Sequence, residues 1–528
     1  MTIHNLTTIA RKKPVRPASA LTRIKSPRFA AVLRARGSPL DRCQFAELHA
    51  VVGWRAHAPE TPLARSHNSW PASVAAAMAL AAACLASDAE TTQRLSPADE
   101  VVLLAALDRA VGQGFSPGEF DTRSVRALLA SPGAEEQAQG EARLEAMAVA
   151  FAAAEHGERL SASRFPETWA IRPAAYDAAA DLTRALAQHQ LSAWLASLPP
   201  PDPRYSALAS AYQRYAAIVA AGGWSSLATP LRPGARGPAV RSLLQRLRVE
   251  DPTVAAGDAY DDASAAAVAR AQARYGLDES GVADAPTIAA LDVPAPARLG
   301  QLAANLERLR WMDRSLPDYR VELNIAAQQL ILFDEGRPLM QMRAIVGRPD
   351  RQTPSFSDAI TAVVFNPPWN VPADIAAREI WPEARRDPGY FKREGFVVRP
   401  GGGVQQLPGP RCALGVIKFD LSNPFGVYMH DTPTKSLFSK NARLFSHGCM
   451  RLEHPLDLAK RVLAGDAAWP ASRIDEVLDS GATIRATLPQ PVPVYVVYWT
   501  AFIDAEGALE FRADPYRWDQ RLLVMLPA

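Results

Sequence analysis

The chain has 528 residues, of which 48% are apolar, and a formal net charge of +3. That length exceeds what one hydrophobic core supports and points to about three domains. Near-neutrality argues against nucleic acid as the main partner, and four cysteines (Cys43, Cys84, Cys412, Cys449) are too few for a disulfide scaffold.

Residues 1–68 form a basic leader. Up to Trp70 the chain carries twelve Lys or Arg against three acidic residues, without a sustained apolar period. It reads either as a basic arm for nucleic acid or anionic lipid, or as sequence upstream of the natural start; the second reading is preferred. Residues 69–89 contain the uncharged stretch Ser73–Ala86, preceded by Arg65 and followed by small residues. This pattern predicts an export signal, too short to cross a bilayer comfortably, with an alanine-rich core helix as the alternative. The expected location is therefore the periplasm or cell envelope, with membrane association only if the signal segment is retained.

Residues 90–229 read as a helical scaffold. Val101, Leu103, Leu104, Leu107 and Val111 recur near helical spacing, as do Leu208, Tyr212, Tyr215 and Ile218. Pro199-Pro200-Pro201 interrupts the region and Gly222-Gly223 ends it. Residues 230–294 predict three short helices, with turns at Arg232-Pro233-Gly234, Gly276-Leu277 and Gly281. The run Gly237–Leu247, then Tyr260-Asp261 and the alanine-rich helix through Tyr275, then Gly281–Leu291, resembles the peptidoglycan-binding domain of bacterial wall enzymes.

From Tyr319 the period becomes two. Val321, Leu323 and Ile325 alternate, Leu330 and Leu332 precede the turn Asp334-Glu335-Gly336, and Met340, Met342, Ala344 and Val346 form the return strand. Residues 295–490 are read as one β-rich domain, interrupted at 375–411 by a loop-dominated insert with Trp381, Tyr390 and Phe391 that predicts a lid. Residues 491–528 are read as a C-terminal β extension.

The chemistry concentrates late in this domain. Phe425–Thr432 ends in His430-Asp431, and nineteen residues after His430 comes Cys449, within Ser446-His447-Gly448-Cys449-Met450-Arg451. A thiol with imidazoles and an arginine beside it points to nucleophilic acyl transfer. Histidine, that gap and Ser-His-Gly-Cys-x-Arg together resemble the L,D-transpeptidase family, in its large form with a helical scaffold and a wall-binding module. The resemblance runs from about Pro97 to Asp519 and implies a multidomain α+β protein: helical scaffold, three-helix peptidoglycan-binding bundle, and β-rich catalytic domain with a lid insertion.

By that likeness Cys449 is the nucleophile and His430 its base, joined in a thiolate–imidazolium pair, while His447 belongs to the motif and lines the pocket or fixes the loop. Gly448 lets the backbone turn. N–H groups around Gly448 and Cys449, next to Ser446, are expected to hold an oxyanion. Arg451 suits a substrate carboxylate, and Asp431 either supports the charge on His430 or caps the next turn. The implied reaction joins a donor tetrapeptide stem to an acceptor amine through a thioester, with release of D-alanine and formation of a 3–3 peptidoglycan cross-link. Glycan strands are the other expected partner, nucleic acid is not one, and carbapenem acylation of Cys449 is a further expectation. No metal or organic cofactor is called for. The alternatives are an L,D-carboxypeptidase, a non-catalytic wall-binding protein, a zinc site from Cys412, His430, His447, Cys449 and His454, a Cys412–Cys449 disulfide, and a buried structural thiol.

Overall fold

The computed structural model describes residues 95–227 and 229–527. The leader and the signal-like stretch lie outside the described residues. Alternation builds the main sheet from its first strands. Val321 and Leu323 on β1 (Arg320–Asn324), Leu330 and Leu332 on β2 (Gln329–Asp334), and Met342, Ala344 and Val346 on β3 (Arg337–Gly347) are buried in one core. The sheet continues through β4 (Phe356–Phe365), β8 (Ile417–Asp420), β9 (Met429–His430), β10 (Leu444–Ser446), β11 (Met450–Leu452) and β12 (Ile484–Val497). Its order is β10-β3-β11-β9-β8-β4-β12-β1-β2, and β2 pairs with β3 as well as β1, so the sheet closes on itself. Closure removes the unpaired edges that an open sheet would expose. The hairpins β1–β2 and β2–β3 are antiparallel, as alternation predicts, but β12 on β1, β11 on β9 and β10 on β3 run parallel.

Two sequence expectations are corrected here. Residues 491–528 are not an appended β extension: Pro491–Val497 lie inside β12, where Val494 pairs with Val321 of β1 and Val492 with Ile360 of β4. Pro491 and Pro493 have no N–H to offer a ladder, and the β4 pairing shifts register between Thr487 and Val492. The prolines mark that slip rather than a boundary. Beyond it come a hairpin, β13 (Ala501–Ile503) with β14 (Leu509–Phe511), and a helix, Trp518–Met525.

The insert at 375–411 is not loop-dominated either. It is helical from Ala373 to Arg386, including a π-helical turn at Ala376–Ile380, and helical again at Tyr390–Glu394. A three-stranded sheet, β5 (Trp369–Asn370), β7 (Val404–Gln406) and β6 (Phe396–Val398), completes it. Val371, Ile375, Ile380, Phe396 and Val404 give it a core of its own. Elements of two to six residues are too short to print a period in sequence.

The scaffold helices pack around Leu103, Leu107, Leu144, Phe151 and Leu182. The three bundle helices, Pro238–Glu250, Asp262–Arg274 and Ala285–Leu291, start at turns whose Asp261 and Asp284 side chains accept from Ser264 and Thr287 main-chain N–H groups. The bundle core runs on without a break into Tyr495, Trp499 and Phe511. Arg512 of the C-terminal hairpin also donates to the Arg274 carbonyl at 3.3 Å, which ties the bundle to the unit built on the closed sheet.

The helix Ala295–Arg310 is a spine whose every residue from Gln301 to Arg310 is buried. Its Asn305 donates to Thr500 Oγ1 at 2.7 Å, Arg308 meets Asp519 at 2.5 Å, and Arg310 binds Glu155 of the scaffold at 3.2 Å.

Candidate active site

The parallel pairing of β11 with β9 sets the site. Met450 is opposite Met429 and Arg451 opposite His430, while β8 places Lys418 opposite His430. Met429 and Met450 point into the core with no exposed surface, so the alternate residues point outward. Arg451, His430 and Lys418 therefore form one outward row. Cys449 and Tyr428, each one residue before its strand, form the next. His430 thus sits one side-chain repeat along the adjacent strand from the thiol, on the same face.

His430 is buried, and its Nδ1 lies 2.5 Å from the main-chain oxygen of Asp431. A carbonyl can only accept, so Nδ1 carries a proton. Burial, followed by the Arg451 charge, lowers the His430 pKa to about 3, against the smaller upward pull of the Asp431 and Leu414 carbonyls. Burial also pushes the Cys449 thiol up, more than the Tyr428 main-chain N–H, Arg451, Lys418 and the Tyr428 hydroxyl pull it down. Desolvation thus works against the expected thiolate–imidazolium pair, since it favours the neutral form of each group.

Asp431 orients the ring through its backbone. Its carboxylate turns away, accepting from the Val416 N–H at 3.0 Å and pairing with Lys435 at 2.7 Å. A Cβ on Gly415 would sit 2.2 Å from Asp431 Oδ2, which explains the glycine there. Gly448 has φ 120°, a backbone state that side chains disfavour. Ser446 Oγ donates to the Cys449 carbonyl at 2.6 Å and accepts from the Gly448 N–H at 3.1 Å. The Gly448 N–H is thereby spent on holding the loop, which leaves the Cys449 N–H for an oxyanion. Thr353 Oγ1 fixes the Gly448 carbonyl at 2.8 Å.

Arg451 is partly buried with its Nε unpartnered, and burial lowers its pKa. A desolvated cation without a carboxylate beside the thiol suits an anionic substrate group. His447 faces the insert: its Nε2 is 2.6 Å from Glu379 Oε1, in the π-helical turn. Cys412 is buried and free, with its thiol donating to the Pro367 carbonyl at 3.4 Å; Cys449 is also free.

Sequence reasoning missed Tyr428. Its hydroxyl hydrogen-bonds Cys449 and also meets the Trp369 side chain on β5, while Lys418 Nζ lies 4.6 Å from its ring centre. Period two back from His430 was the available signal. Burial, followed by the neighbouring Cys449 sulfur, pushes the Tyr428 pKa upward, so it remains a proton donor. A Tyr428→Phe variant is expected to slow acylation of Cys449 by roughly 10- to 100-fold, the worth of a hydrogen bond to a charged group, with little change in melting temperature. Stopped-flow acylation would test this, and an unchanged rate would make the hydroxyl a bystander.

Three family models match the chain: a scaffold domain at residues 91–211, a peptidoglycan binding domain at 236–291, and an L,D-transpeptidase catalytic domain at 318–477. A Haemophilus influenzae protein, itself provisionally assigned as an L,D-transpeptidase, is 30% identical over 244 residues, covering 42% of this chain and 48% of its own. The chain thus spans about half the length of that curated relative. Among solved structures, an L,D-transpeptidase from Xylanimonas cellulosilytica is 17% identical over 52% of this chain and 99% of that one, with TM-score 0.19. One from Mycobacterium smegmatis is 16% identical over 34% and 58%, with TM-score 0.18, and neither score is high enough to place a residue. The scaffold, wall-binding and catalytic matches follow one another along the chain in that order, and residues 318–477, which carry Cys449 and His430, are the stretch that matches the L,D-transpeptidase catalytic domain.

Proposed function

We propose that the protein is a cysteine L,D-transpeptidase of the cell envelope that forms 3–3 cross-links in peptidoglycan. The observation that carries this reading is the outward face on which Cys449, Tyr428, His430 and Arg451 converge beneath the insert.

Both partners start neutral, so proton transfer and attack are coupled. The Cys449 thiol gives its proton to His430 Nε2 as sulfur adds to the carbonyl of the third stem residue. The oxyanion is met by the Cys449 N–H, with the Tyr428 hydroxyl close by. Arg451 holds the carboxylate of the terminal D-alanine. His430 then protonates the departing amine, and a thioester remains. A side-chain amine of a second stem loses its proton to His430, attacks the thioester and releases the thiol, so that each step balances without a cofactor. Carbapenems would acylate the same sulfur.

Water is the competing acceptor. Glu379 on His447, and Trp369 on Tyr428, are the points at which the insert meets the site. Incubation with disaccharide tetrapeptide and mass analysis of the products tests the reading: a cross-linked dimer supports transfer, and tripeptide alone makes the enzyme an L,D-carboxypeptidase. In the same assay Glu379→Ala is expected to raise the tripeptide-to-dimer ratio several-fold by loosening the cover over the thioester. An unchanged ratio would remove the insert from water exclusion.

A further inference from the structure

A groove of about 1020 Å³ opens on the outer surface of the closed sheet, away from Cys449. Gln329 and Ile331 of β2 and Gln341 and Arg343 of β3 form its floor, paired in register. Gln341 and Arg343 point the same way as Ile345, which is the register partner of Arg451. Strand β3 therefore floors the groove at one end and underlies the catalytic row at the other.

The segment Ser439–Arg443 forms one wall. Arg343 donates to the Phe438 carbonyl at 3.2 Å, and Arg443 donates to the Ala344 and Lys440 carbonyls at 3.3 and 2.9 Å. The same segment leads directly into the loop that carries Cys449. The other rims come from Gly276–Glu279 of the three-helix bundle, Pro201–Arg204 of the scaffold and Phe502–Glu506 of the C-terminal hairpin. Three modules thus converge on one channel, and the Arg512–Arg274 contact holds the bundle rim in place.

The lining has unspent chemistry. Arg204, Arg320 and Glu322 are consumed in mutual ion pairs. The side chains of Arg337, Lys440, Gln329, Gln341, Glu279 and Glu506 form no hydrogen bond or ion pair among the described residues. Phe502 and Ile331 add half-exposed apolar surface beside them.

We infer that this groove seats a glycan strand of the cell wall, so that the polymer runs from the bundle past the segment bearing the nucleophile. The inference rests on the transpeptidase reading for the identity of the polymer. A pyranose ring has an apolar C–H face and a polar rim, which match Phe502 and Ile331 flanked by the free amides of Gln329 and Gln341. Arg337 and Lys440 suit the carboxylates of peptide branches. Asp278, Glu279 and Glu506 on the rim disfavour a polyphosphate of similar thickness. An open channel shared by three modules fits an extended polymer better than a small metabolite.

The test uses the full chain carrying Cys449→Ala, with amidase-released glycan strands free of stem peptides as the probe and calorimetry as the readout. Gln341→Trp, which fills the groove from an exposed strand position, is expected to weaken binding at least tenfold, as is Arg337→Glu. Arg241→Glu, in a separate 330 Å³ hollow on the bundle, is expected to change it less than twofold. Melting curves confirm that each variant is folded. Undiminished affinity in the groove variants, loss confined to Arg241→Glu, or no affinity for the bare strands would each overturn the inference. Carbapenem acylation of the unaltered chain is read separately: its failure with glycan binding intact sinks the transpeptidase reading, whereas the converse sinks the groove alone.

Discussion

Cys449→Ala is expected to lower turnover of a tetrapeptide donor by roughly 10⁴- to 10⁶-fold, and His430→Ala to lower it by a similar factor. The double variant should fall little further, because thiol and imidazole act as one proton-transfer unit. The pH profile separates this mechanism from that of a preformed ion pair. With its pKa lowered to about 3, His430 is deprotonated, and able to accept a proton, at every pH above about 4. The sign follows directly: protonation disables the base, and protonation begins only as pH falls toward 3. kcat/KM for acylation should therefore stay level from about pH 4.5 to 7.5. A fall on the acid side centred near 6.5, the ordinary histidine value, would overturn the neutral resting state.

Arg310→Ala is expected to be the most damaging change outside the site. The guanidinium has no exposed surface and binds Glu155 at 3.2 Å, Glu307 at 3.3 Å, the Tyr205 hydroxyl at 2.6 Å and the Gln113 carbonyl at 2.7 Å. Arg159 closes the network through Glu307 at 3.0 Å and Glu119 at 2.6 Å. Removing Arg310 strands Glu155 without a cationic partner in the interior, a loss of about 3–5 kcal/mol. Melting temperature should drop by roughly 10 °C. Replacing Arg310 and Glu155 together by apolar residues of similar volume should recover much of that loss, whereas Arg310→Ala melting like the unaltered chain would show that the network is dispensable.

The outer architecture was legible because it is periodic. Val321 and Leu323 alternate, Leu103 and Leu107 repeat at helical spacing, and the Gly and Pro stops of the bundle fall at its helix ends. The Ser446–Arg451 motif and the earlier His430 were legible as residues, since their chemistry is local. What escaped was set by distant partners. The burial of the spine helix Ala295–Arg310 was hidden because its Arg308 and Arg310 look solvent-facing until Asp519 and Glu155 neutralise them. Tyr428 passed as a strand residue because only the β9–β11 register puts its hydroxyl on the sulfur. The resting protonation of the pair was equally invisible, because desolvation belongs to the folded state and not to the residue type.

The placement of β12 governs how the catalytic unit is made. Val321 must find Val494, a separation of 173 positions, before β1 has its parallel neighbour. A contact of such long range repays its loop-closure entropy late, so the sheet cannot close until nearly the whole chain is available. During synthesis the first three strands are confined to local hairpins. A chain that must pass unfolded through a membrane pore would gain from that delay, and one cut just before Ile484 would lose both the partner of β1 and the neighbour of β4, leaving no closed sheet on which to place the thiol.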